Sequence, residues 1–272
     1  MRSAFAFLIL SLLAVALFSV TGDAAPESVA ARPRGGQRAG AMSAEELVAQ
    51  GEVLDKKLEA SDALGYYLAA EKMEPKNAHL MVCIARQYRH LMTDAPAKQE
   101  KLRLGHLALN YSSRAAAAGP DDAEAQLDTA ITLGKMLPFL PIKEQVRATP
   151  QIKEFTDKAI ALDPKEDTAW HILGRWNRVL ADVNTVRRAV AGMLYGSLPK
   201  GSNEEAERDM RKALELNPNR LMHYIELGRI YAQMGRNDDA RLYINKGLAM
   251  PDVEKDDPEA KRHGRETLQK LH

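Results

Sequence analysis

Three arginines each follow a small residue in three separate apolar stretches: Arg86 after Ala85, Arg175 after Gly174 and Arg229 after Gly228. Arg89 and Arg178 come three residues later, where a helix would place them on the same face. His90 and His171 lie in the same register, and Lys135 occupies the comparable place in an intervening stretch. A guanidinium presents a rigid fork of donors that grips a carboxylate or phosphate with two bonds. A row of them on one face would suit an acidic peptide, a C-terminal carboxylate or a phospholipid head group. The same chemistry serves internal pairing equally well, with Glu124 and Glu226 as candidate partners. The sequence leaves both uses open.

No other residue set points to chemistry. Cys83 is the single cysteine, so no intramolecular disulfide can form, and it stands inside the apolar run 80–84 as a small hydrophobe would. His79 precedes it by four residues, but no third residue near it in sequence completes a catalytic set. The remaining histidines are scattered, with no HExxH or CxxC spacing. The stretch YGSLPKG at 195–201 is rich in Gly and carries a Lys, yet lacks the spacing of a phosphate-binding loop and reads as a turn. We therefore expect no enzyme, metal or cofactor.

What must position the arginines is a set of helices. Ser43 and Glu46 form a capping box, and apolar residues recur at helical spacing from there on. Prolines at 75, 120, 164, 218 and 251 punctuate the chain at intervals of 45, 44, 54 and 33 residues. Regular punctuation of this kind marks a helical repeat whose middle units carry insertions. In the last full unit Tyr224, Leu227, Gly228, Tyr231, Gly235, Ala240 and Gly247 fit the tetratricopeptide pattern, in which small residues let paired helices approach closely. The fold class is all-α, a tetratricopeptide-type α-solenoid with inserted and lengthened helices, over residues 43–272. The inserted segment 179–194 aligns Val179, Val183, Val186, Val190 and Met193 on one face, with Arg187 and Arg188 opposite, and is expected to be core, the alternative being a lipid- or partner-facing helix. The charge run 254–266 is expected to form a solvated helix capping the array.

Lys+Arg 38 against Asp+Glu 37 gives a net charge of +1 and no reason to expect nucleic acid. The first segment differs from the rest. Arg2 precedes an uncharged apolar stretch and then Gly22, Asp23 and Ala24, the pattern of an export signal at 1–24. The alternative is a membrane anchor formed by residues 4–20. Residues 25–42 mix Pro, Gly, Ala and Arg without period and read as a flexible linker. The expected location is outside the cytoplasm, periplasmic or secreted.

The stretches IKEFTDKAIALDPKEDTAWHILGRW at 152–176 and RRAVAGMLYGSLPKGSNEEA at 187–206 resemble the tetratricopeptide domain of the regulator of microtubule dynamics family. The second stretch is the more specific, because an insertion ending in a Gly-x-x-Pro turn is foreign to the generic repeat. The resemblance extends over most of 44–271 and implies a binding domain associated with microtubules, in some members anchored to membranes. The N-terminus resembles exported bacterial relatives, and an exported chain would not meet tubulin. The reading is a scaffold whose partner is a protein or peptide, acidic in character, with phospholipid as the alternative.

Overall fold

The computed structural model describes residues 42–271. The expected export signal and the linker lie outside the described residues, except for Met42, which packs against the first core cluster. Among the described residues there are helices and connecting turns and no strand. Helices α1 (Ala44–Asp55) and α2 (Ala60–Glu71) form the first pair, and α3 (Ala78–Asp94) and α4 (Lys98–Ala118) the second. The third pair is α5 (Ala123–Met136) with α6 (Ile142–Leu162), joined through a 3-10 turn at Leu137–Phe139. In the fourth, α7 (Asp167–Ala181) packs against α9 (Asn203–Leu216), and α8 (Thr185–Tyr195) is inserted between them. Helices α10 (Leu221–Gln233) and α11 (Asn237–Ala249) complete the fifth, and α12 (Asp257–Leu268) lies across α10 and α11.

The local causes are those expected. Ser43 and Glu46 exchange both bonds of a capping box, at 3.2 and 2.8 Å. Asn77, Asp122 and Ser202 cap α3, α5 and α9 by accepting from backbone N–H groups of the first turn, which otherwise lack a partner. Each of the five prolines falls just after the second helix of a pair. Pairing depends on the missing side chains of two glycines. A Cβ on Gly174 would lie 3.1 Å from the Ala206 carbonyl, and one on Gly228 would lie 2.6 Å from Ile244 Cγ1 and 2.9 Å from the Ala240 carbonyl. The first helices of successive pairs also touch, α3 with α5, α5 with α7, α7 with α10, and α10 with α12. Residues just after those glycines therefore share one inner face.

Two expectations need correction. The apolar stripe of the inserted segment is not core: Val186, Val190 and Met193 are 73, 40 and 86% exposed, and Val179 is 38% exposed. Only Val183 packs on the main cluster. The reason lies in Arg188, whose guanidinium donates to the carbonyls of Leu180, Leu198 and Pro199. The Leu180 carbonyl near the end of α7 and those of Leu198 and Pro199 in the link from α8 to α9 take this donor, so α8 turns its polar side inward. The charge run, too, is only partly a solvated cap. Helix α12 begins at Asp257, which is buried and accepts from the N–H groups of Val253 and Glu254 at 2.8 and 2.7 Å.

Candidate functional site on the inner face

The inner face is a chain of ion pairs that link one first helix to the next. Arg86 on α3 reaches Asp55 at the end of α1 (3.1 Å) and Glu124 at the start of α5 (3.0 Å). One turn further, buried Arg89 binds Asp128 (2.6 Å) and Thr132 (2.9 Å). Burial pushes the Asp128 carboxyl up even against its guanidinium partner. His90 is half-buried with no hydrogen-bond partner for Nδ1 among the described residues, and burial pulls it down to about 4.

On the C-terminal half, Glu226 of α10 is the centre. Arg178 of α7 donates to one of its oxygens and Arg229 to the other, each at 2.6 Å. Burial alone would raise this carboxyl, but Arg178, Arg229 and Arg175 hold it well below the usual carboxylate range. Arg175 is exposed and makes no hydrogen bond or ion pair among the described residues. Three guanidiniums thus face one carboxylate, and the local charge is positive. His171 is buried against His223, Nδ1 to Nδ1 at 3.0 Å, and burial holds it well below its ordinary value. His223 in turn bonds Asp167 (2.8 Å), which also pairs with Arg220 (2.8 Å).

The connector between α11 and α12 runs into this face and supplies the acids that the cations there lack. Glu254 pairs with Arg220 at 2.5 Å, and both oxygens of Asp256 bind Lys135, at 2.5 and 2.6 Å. Asp256 also accepts from Thr93 (3.2 Å), and neighbouring Lys255 binds Asp94 (2.8 Å). An acidic stretch of the chain's own backbone therefore bridges the ends of α3, α5 and α10.

Of the seven cationic groups expected to form a ligand face, six are partnered within the chain: Arg86, Arg89, Lys135, His171, Arg178 and Arg229. Arg175 alone of them is left open. Glu124 and Glu226 act as the partners the sequence suggested. Asp55, Asp128, Asp167, Arg220, His223 and Asp256 were not anticipated. Asp128 could have been found as the acid four residues after Glu124 at the head of the next first helix, opposite Arg89 as Glu124 is opposite Arg86.

The pair of Cys83 and His79 noted in the sequence gains a third member, Glu124, from another helix. Cys83 Sγ lies 3.6 Å from His79 Nε2, and His79 Nδ1 lies 3.2 Å from Glu124. The bonds to Cys83 and Glu124 push the imidazole up to about 10. The order thiol, imidazole, carboxylate is that of an activated nucleophile. Yet Cys83 is 2% exposed, packed among Leu80, Ile84 and Tyr67, so a substrate has no approach to the sulfur.

Paired antiparallel helices stacked with their first members side by side define a tetratricopeptide-type scaffold, a class that holds partners on its inner face. A 17% identical solved structure, the thermophilic TPR protein TTC0263 of Thermus thermophilus, superposes with a TM-score of 0.57 over 84% of this chain and 100% of its own. Pseudomonas aeruginosa pilF, 13% identical, gives 0.52 over 88 and 90%. Both likenesses concern the fold. The family profile described as Regulator of microtubule dynamics protein 1-3 matches residues 43–272, and the chain belongs to that family. It is 28% identical over 209 residues to mouse Regulator of microtubule dynamics protein 1, covering 76% of this chain and 68% of the relative. It is 27% identical over 192 residues to human Regulator of microtubule dynamics protein 2, covering 69% of this chain but only 46% of that longer protein.

Proposed function

We propose that the protein is a non-enzymatic scaffold that captures an acidic segment of a protein partner on its inner face, with Arg175 as the cation that meets it. The supporting observation is the contrast between Arg175, exposed and unpaired, and its neighbours Arg178 and Arg229, already joined to Glu226. The chain's own acidic connector, held by Lys135 and Arg220, illustrates how such a segment is gripped. Fluorescence anisotropy with a labelled octaglutamate peptide tests the reading. Wild-type protein should bind with an affinity that falls as salt rises. Arg175→Ala should weaken binding at least about tenfold, equivalent to about 1.4 kcal/mol. No binding, or binding unchanged in the variant, would overturn it. Displacement of the labelled peptide by glycerol 3-phosphate at a lower concentration than by unlabelled octaglutamate would move the site to phospholipid head groups.

The family name carries microtubule regulation, and the N-terminal signal argues for export. The two exclude each other, since an exported chain meets no microtubule. The mass of the native protein decides: a chain starting near Ala25 supports export, and an intact Met1 form in membranes supports an anchored, inward-facing protein.

A further inference from the structure

Helix α8 is mounted inside out. Arg188 turns toward the body and is consumed by the carbonyls of Leu180, Leu198 and Pro199, and Ala191 is its one buried residue. On the opposite side Val186, Val190, Met193 and Leu194 stand 73, 40, 86 and 51% exposed. Exposed aliphatic side chains scattered singly need no explanation, but four on one face of an eleven-residue helix form a continuous strip, about 12 Å long. The charges around it have one sign. Between Asp182 and Glu204 there is no acidic residue, whereas Arg187 and Lys200 are present and make no ion pair among the described residues.

We propose that α8 is a membrane-surface element, laying its aliphatic strip into an anionic bilayer with Arg187 and Lys200 at the head groups. The strip offers neither the Trp, Tyr and Arg anchors that dominate protein interfaces nor any hydrogen-bonding group along its centre. A bilayer requires none of these. It accepts aliphatic side chains without shape matching, and its anionic surface attracts flanking cations. This inference is independent of what the inner face binds, so Arg175→Ala should leave it unaltered.

The test uses the full chain carrying Met193→Cys, labelled with an environment-sensitive fluorophore; the native Cys83 is buried. Adding vesicles of equimolar phosphatidylcholine and phosphatidylglycerol should blue-shift the emission, and phosphatidylcholine alone should not. A label at exposed Asn245 on α11 should stay unshifted in both, which separates insertion of α8 from tethering by residues 1–41. In flotation, Val186→Glu together with Leu194→Glu should lower the anionic-vesicle partition of the residue-193 signal at least tenfold, with the helical circular dichroism unchanged. An unshifted label at 193, an equal shift at 193 and 245, or a shift indifferent to the double variant would each refute the assignment. A wild-type dimer that becomes monomeric in the double variant, with no vesicle response, would overturn it in favour of a second copy of the chain.

Discussion

Arg175→Ala and Arg178→Ala are the same chemical change one helical turn apart, and the structure gives them different outcomes. Arg178 holds one oxygen of the buried Glu226 at 2.6 Å and reaches the Gln233 side chain at 3.4 Å. Removing it leaves Glu226, whose side chain is 6% exposed, with Arg229 as its remaining bonded partner. Breaking a buried pair costs roughly 3–5 kcal/mol, and the surviving Arg229 bond puts this case near the lower figure, about 3 kcal/mol. Arg175 bonds nothing, and its charge acts both ways: it favours the ionised Glu226 carboxylate, and with burial and Arg178 it lowers the Arg229 guanidinium from its ordinary value. Its removal should therefore cost no more than about 0.5 kcal/mol and can raise stability slightly. Urea titration followed by the fluorescence of Trp170 and Trp176, both on α7, and by circular dichroism measures the two changes. Coincidence of the probes establishes that the array unfolds as one unit, which repeat proteins do not always do. A loss of about 2 kcal/mol or more in Arg175→Ala, or less than about 1 kcal/mol in Arg178→Ala, would mean that the division between free and consumed arginines is wrong.

Two further outcomes follow from packing and titration. His90 has a folded-state value of about 4, below its unfolded value of about 6.5, because burial disfavours the charged ring. Its contribution is thus complete above pH 6.5 and lost as pH falls through 4, up to about 3 kcal/mol by linkage; chemical denaturation across that window should show a shallower decline in His90→Gln than in wild type. Gly228→Ala forces a Cβ against the Ala240 carbonyl and the Ile244 backbone N, each 2.9 Å away, where only a backbone shift can make room. It should cost about 1–3 kcal/mol in the same urea assay, whereas Gly192→Ala, with nothing within 4 Å, should be neutral or stabilising.

The elements were legible because their signals are local. Ser43 and Glu46 mark a start within four residues, Pro75 through Pro251 mark the ends, and Gly174 and Gly228 announce a crossing through the close approach that only they permit. The same register placed Arg86, Arg175 and Arg229 on one face. It could not say which of them would be consumed, because that depends on acids brought in by other helices. Glu124 and Glu226 sit in comparable registers and could be suspected. Asp256 lies 121 residues from Lys135, and no spacing rule connects them. For α8 the periodicity located Val186, Val190 and Met193 on one face but not the direction of that face, and it ran the stripe on through Val179 and Val183, which lie on α7 and in the turn before α8. An amphipathic pattern is symmetric between core and surface until something decides which side the body needs, and here the need was for a donor, Arg188, at the end of α7.

A repeat array is ordinarily a stack in which each unit speaks only to its neighbours, so that it can fray from either end and fold outward from any point. The contacts of Asp256 with Lys135 and with Thr93, the latter across 163 residues of sequence, fasten the last unit to the second and third. The stack is thereby cross-linked over its second to last units, while the first pair, α1 and α2, lies outside the link. The linked units can no longer melt independently, and the link must await the arrival of the C-terminal segment, which slows folding relative to an open array of the same length. Opening and closing of the superhelix, the soft motion by which open arrays adapt to partners of different size, is then opposed by a clasp in which Asp256 holds Lys135 and Thr93 and Lys255 holds Asp94. Whatever loosens that clasp changes the curvature of the entire inner face at once.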